Sequence, residues 1–224
     1  MIAFLVGLLM CLSPLTAGIS DTGVSYTSSN WAGYVQEGSY TMVSARWTVP
    51  VLDCAATPQG LTTDWVGVNG WGGNSGLFQD GTMSRCINGT QMNYAWWTDD
   101  DLNDAVQGVF LVGNGDVVSA EVWQRPSGYW AWSVRDVTSG KVASAGEPFY
   151  GSGATAEWIA EDPGNLATHK LSQLADFGTV RFSHARYAGT TSNAAPIEMV
   201  IHQTGLPQAI PGDLVNSAFE VTYV

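Results

Sequence analysis

Positive charge is what this sequence has least of. Eight Lys and Arg stand against twenty Asp and Glu, for a formal net charge of −12. Only two lysines occur, Lys141 and Lys170. Nucleic acid is thereby excluded as a partner, because binding phosphates takes a basic surface. Charge of either sign is sparse, at 12% of residues, whereas 45% are hydrophobic, so burial of a full core in one domain is not limiting. The three histidines, His169, His184 and His202, form no metal spacing such as H-E-x-x-H, and no metal or cofactor is expected. No G-x-S-x-G occurs, which leaves a serine hydrolase without support. Gly70-Trp71-Gly72-Gly73 is not followed by a helical pattern and does not read as a nucleotide loop. Asp21-Thr22-Gly23 spells the aspartic-protease triplet, but it lacks a preceding apolar strand and a second copy. That chemistry needs two carboxylates sharing one site. The acidic run Asp99, Asp100, Asp101 and Asp104 reads as a solvated loop, with calcium binding as the alternative.

Helical periodicity is also missing, except for a short stretch at Asn165–Ala175. Period-two patterns take its place. They predict strands at 30–36, 42–49, 64–69, 91–98, 106–112, 117–123, 128–137, 141–145, 153–161, 179–187, 197–201 and 218–224. Turn dipeptides such as Asn88-Gly89 and Ser139-Gly140 separate them. So many short strands, with 26 Gly and no linker, predict a single all-β domain: a sandwich of two antiparallel sheets, concanavalin-like or jelly-roll-like. Residues 1–20 stand apart. Ile2 to Leu12 is apolar and small residues follow at Ala17-Gly18, the pattern of a secretory signal peptide. The run is too short for a comfortable membrane span. The mature domain is then 21–224, secreted, with no membrane attachment and expected as a monomer. In a secreted chain the remaining even pair, Cys54 and Cys86, reads as a disulfide, two free buried thiols being the alternative. The bridge would close a loop of about thirty residues and contribute roughly 3–4 kcal/mol in the chain-entropy model.

One stretch carries a chemical hint. In Ala154-Thr155-Ala156-Glu157-Trp158-Ile159-Ala160-Glu161-Asp162 one side of the strand, Ala154, Ala156, Trp158 and Ala160, is wholly apolar and faces a core. The odd positions place Glu157 in mid-strand, where a carboxylate is unusual. A carboxylate on a rigid sheet face suits acid–base work, although a solvated strand face is the plainer reading.

A second set of segments joins it. Ser29-Asn30-Trp31-Ala32-Gly33-Tyr34, Ser44-Ala45-Arg46-Trp47, Trp65-Val66-Gly67-Val68-Asn69-Gly70, Leu77-Phe78-Gln79-Asp80-Gly81, Tyr94-Ala95-Trp96-Trp97 and Ala175-Asp176-Phe177-Gly178 follow in order. With Ala-Glu-Trp-Ile they resemble the eqolisins, the family of glutamic peptidases. The resemblance implies a secreted acid endopeptidase with its site on the concave face of a sandwich and a polypeptide as substrate. It implies that Glu157 activates water and returns the proton to the leaving amine, while Gln79 supports water and oxyanion. Without it, Gln79 reads as a polar residue at a turn edge. Trp65, Asn69, Tyr94, Trp96 and Trp97 would line the cleft, some of them as core packing.

The sequence departs from the family pattern at Asn69, where Asp is common, at Ala95, where Glu is, and at Thr98, which replaces Pro. Two acids near Glu157 would be missing, which by that effect alone lowers its pKa. The first family motif begins nine residues after Ser20, so maturation is expected to need only signal removal. Two other functions stay open. Glu157 and Glu161, about 6–7 Å apart on one strand face, could serve a glycoside hydrolase. A Trp-rich groove could also serve a carbohydrate-binding lectin.

Overall fold

The computed structural model describes residues 17–18, 25–74, 76–99, 103–126, 128–165, 170–191 and 193–224. The apolar run 2–12 and the acidic Asp100 and Asp101 lie outside these residues. Among the described residues there is no helix. The strands are β1 (Ala17–Gly18), β2 (Tyr26–Ser28), β3 (Trp31–Thr48), β4 (Leu61–Val68), β5 (Phe78–Ile87), β6 (Thr90–Asp99), β7 (Asn103–Val112), β8 (Val117–Gln124) and β9 (Trp130–Asp136). They continue with β10 (Val142–Glu147), β11 (Thr155–Glu161), β12 (Gly164–Asn165), β13 (Lys170–Leu171), β14 (Thr179–Thr191), β15 (Ala195–Val200), β16 (Pro207–Pro211) and β17 (Phe219–Tyr223). Pairing is antiparallel apart from β2, which runs parallel to β15.

The two sheets expected from the strand pattern are one. Fifteen strands join in a single hydrogen-bonded sheet. The reason is β3, where two strands were expected. Its first half pairs with β11, from Trp31↔Glu161 to Glu37↔Thr155, and its second half with β8, from Met42↔Trp123 to Thr48↔Val117. The polar, exposed residues between these halves stay extended because β14 pairs with them, at Gly38↔Thr191 and Ser39↔Thr190. The sheet then folds over on itself. β9 lies across β5 and β6, with Trp130 6.4 Å from Phe78 and Trp132 stacked on Trp97 at 5.2 Å. The main core fills this interior around the fully buried Trp47, Trp130, Trp158 and Phe78. Buried indoles need partners for their N–H groups. Trp47 Nε1 donates to Thr82 Oγ1 at 2.8 Å and Trp158 Nε1 to the Ser44 carbonyl at 3.0 Å.

The helix expected at Asn165–Ala175 is not formed in its described part. Asn165 and Lys170 instead pair in a two-stranded ladder, β12 with β13, and Ser172 anchors the following loop through its hydroxyl to Asp162. β5 was not marked by alternation, since Gln79-Asp80-Gly81-Thr82 is polar on both faces, yet all four residues are buried. The Asn88-Gly89 turn forms as expected. Both residues are left-handed, φ 50 and 75, which matches a two-residue hairpin between β5 and β6. Cys54 and Cys86 form the expected disulfide, Cα atoms 5.5 Å apart, tying the loop before β4 to the far end of β5.

Candidate active site

Glu157 and Gln79 lie in one cross-strand row. Glu157 on β11 is opposite Gly67 on β4, and Gly67 is opposite Gln79 on β5. Residues directly opposite share a face, so the carboxyl and the amide emerge on the same side, two strand spacings or about 10 Å apart at Cα. Gly67 puts no side chain of its own between them. A Cβ there would come within 3.0 Å of Trp65 Cζ3, 3.1 Å of Gln79 Cβ and 3.1 Å of Leu77 Cδ1. Any other residue at 67 would therefore crowd the side chains already packed there.

Glu157 is fully buried. Its Oε1 accepts the Gly70 N–H at 3.1 Å, while Oε2 has no hydrogen-bond partner among the described residues. Burial pushes its pKa up to about 7, against the opposing pull of the Thr155 hydroxyl and the Gly70 and Trp71 N–H groups. Gln79, also buried, likewise keeps Oε1 without a protein partner. A carboxyl with one unpartnered oxygen and an amide with donors to spare thus share one face of the sheet, an arrangement suited to activating water.

The other expected site residues divide. Trp65 shares the face of Glu157 and forms the floor. It is fully buried, and its Nε1 donates to Glu161 Oε2 at 2.8 Å. Asn30 Nδ2 donates to the other oxygen of Glu161 at 3.0 Å. Glu161 is thus occupied in holding Trp65, which removes the geometric case for a second glycosidase carboxylate. Trp96 and Tyr94 also lie on this face, register-paired with Gly81 and Met83. Trp96 is 2% exposed and serves as packing rather than lining. Trp97 does not join the site. It points to the opposite face, into the main core against Trp132.

Asn69 is a clamp. Left-handed at φ 77, it accepts at Oδ1 from Ser152 Oγ at 3.0 Å and from the Ala154 N–H at 3.2 Å, and its Nδ2 donates to the Gly76 carbonyl at 3.3 Å. An Asp could not make the last bond. Ala95, fully buried, also faces the main core, opposite Thr82. An acid there would not stand beside Glu157. At position 95 the expected lowering of the Glu157 pKa through a lost neighbour has no geometric basis, and burial by itself pushes that pKa upward. Sequence reasoning missed Gly67, Gly70 and Thr155, whose roles are a close approach, a backbone N–H and a hydroxyl. It noted Thr98 only as a departure, although Thr98 stands directly opposite Gln79.

A family model described as the Peptidase A4 family matches residues 29–210. No curated protein matches the chain. Among solved structures, scytalidoglutamic peptidase with a transition state analog inhibitor superposes with a TM-score of 0.76 at 19% identity, covering 88% of this chain and 99% of that one. SCP-B, a member of the eqolisin family in complex with the tripeptide Ala-Ile-His, gives 0.73 at 20% identity over 88% and 99%. Aspergilloglutamic peptidase from Aspergillus niger gives 0.60 at 23% identity over 74% and 100%. At these identities the superpositions establish a shared fold.

Proposed function

Since the chain belongs to the Peptidase A4 family, the eqolisins, and is a glutamic-type peptidase, we propose that Glu157 and Gln79 are the dyad through which it cleaves polypeptides. The observation that carries the proposal is the row Glu157–Gly67–Gln79, with a bare glycine between an acid–base group and an amide.

The ionised carboxylate of Glu157 takes a proton from water as the water oxygen bonds to the scissile carbonyl carbon. Negative charge develops on the former carbonyl oxygen, and the Gln79 side-chain N–H donates to it. The carbon–nitrogen bond then breaks, and the proton held by Glu157 passes to the leaving nitrogen, restoring the carboxylate. The products are an acid and an amine. Gly70, through its N–H on Oε1, fixes the orientation of the base and leaves Oε2 for water.

The working range follows from Glu157. A buried carboxyl pushed to about 7 is ionised only from near neutrality upward. That runs against the acid range expected by resemblance, and a pH–rate profile decides between them. We also propose secretion, supported by the apolar run at 2–12 and by the Cys54–Cys86 bridge, which suits an oxidising compartment. The test of the dyad is proteolysis by purified Glu157→Gln protein beside its melting curve. Loss of cleavage with an unchanged fold supports the assignment; substantial cleavage overturns it.

A further inference from the structure

The Gly-rich segment after β4 carries a tryptophan that the dyad does not use. Trp71 and Tyr26 are both half-buried. Their rings lie 5.3 Å apart, tilted by 46°. Trp71 also lies 6.2 Å from Trp31, and Trp31 meets Trp65 edge-on at 5.0 Å. The four rings form one continuous row, from the fully buried Trp65 to the half-buried Trp71 and Tyr26.

This row begins beside the base. Gly70, whose N–H binds Glu157, lies so close to Trp31 that a Cβ would stand 2.8 Å from Trp31 Cη2. The next N–H, that of Trp71, reaches Thr155 Oγ1 at 3.4 Å, and burial apart, this same N–H and hydroxyl act on Glu157. Backbone that orients the carboxylate therefore also carries the Trp71 indole. The four rings bear no charge, and aromatic faces recognise apolar bodies by burial and ring stacking.

We propose that Trp71 and Tyr26, backed by Trp31, form a specificity subsite that receives a large apolar or aromatic side chain of the peptide close to the scissile bond. The inference rests on Glu157 being the base. Trp71 is a specificity residue and takes no part in bond breaking.

The test uses the full mature protein and two peptides identical except for Phe or Ala at the position nearest the cut. In Trp71→Ala, kcat/KM for the Phe peptide should fall about tenfold, the usual scale of a partial apolar pocket. For the Ala peptide it should stay within about twofold, and Trp71→Phe should keep most of the preference. Equal losses for both peptides would assign Trp71 a merely structural role and overturn the subsite. The same pair of peptides is then titrated calorimetrically onto Glu157→Gln protein, with and without Trp71→Ala. A Phe-over-Ala binding ratio that vanishes with Trp71 supports the subsite even if no peptide is cleaved, in which case the dyad fails alone. A ratio indifferent to Trp71 refutes the subsite while leaving the dyad standing.

Discussion

The strands that carry the candidate dyad hold buried carboxyl groups on both of their faces. On the cleft face stands Glu157. On the core face stand Asp64 and Asp80, on adjacent strands, at 1% and 0% exposure. All three are raised by burial, Glu157 to about 7, Asp64 to about 8 and Asp80 well above the usual range, where the neighbouring charge of Glu121 adds to the effect. Burial and a raised pKa therefore do not distinguish the candidate catalytic acid from the others. What distinguishes it is its surroundings. Glu157 has a backbone donor at Oε1 and looks across a bare glycine at an amide. Asp64 stands opposite Ala160 and Thr82, and Asp80 opposite Val66 and Trp97, with the Glu121 and Ser133 backbone groups only partly offsetting the effect of burial on Asp80. A perturbed carboxyl marks a site only where suitable partners face it.

The sharpest way to break this comparison is to neutralise one acid on each face. Glu157→Gln should lower turnover by 10²–10⁴-fold or more, roughly the contribution of a positioned acid–base group. Asp64→Asn should leave turnover within a few-fold, as read in a peptide-cleavage assay. Comparable losses in both would show that the faces are not separate in function. Gln79→Ala should cost roughly 10²–10³-fold, the scale of one lost oxyanion donor, and should act on kcat more than on KM. A Gln79 variant that keeps full kcat removes the amide from the mechanism.

The pH profile comes next in size. If Glu157 must be ionised in the free enzyme, kcat/KM should fall about tenfold per unit as pH drops below about 7. A limb near 4 would mean that the working carboxylate is solvated, unlike that of the resting site.

The smallest effect concerns stability, and here the two faces should behave alike. Asp64 keeps its proton in the folded chain up to about 8 but loses it near its ordinary value of 3.8 when unfolded. Between these values the native state binds more protons, so stability is full below the lower one and declines as pH rises toward the upper, by about 1.4 kcal/mol per unit for one group. Glu157 contributes with the same sign between 4.5 and about 7. Asp64→Asn and Glu157→Gln should each flatten the fall in melting temperature between pH 4 and 8, measured by calorimetry. A wild-type melting temperature that climbs over this range would reverse the sign and contradict both shifts.

Much of the strand content was legible because alternation survives wherever one face is buried and the other polar. Val117–Gln124 is an instance, and Asn88-Gly89 announced its own turn. β5 was not legible. Gln79, Asp80 and Thr82 are polar residues buried on both faces of a central strand, and a pattern built on hydrophobicity has no term for that. Trp97 and Ala95 were misplaced for a related reason: motif adjacency ignores that neighbouring residues on a strand point to opposite sides.

The sequence by itself determined the class, the acidic surface, the disulfide pair and the identity of Glu157 and Gln79 as candidates, because motif order and residue chemistry are local properties. Only the tertiary structure decided that the two share a row across Gly67, that Asn69 clamps a loop and that Glu161 holds Trp65. It also decided that a single strand, β3, makes one sheet where two were expected. Each of these depends on register between segments distant along the chain. Register is set by which faces can be buried together, and no single segment contains that information.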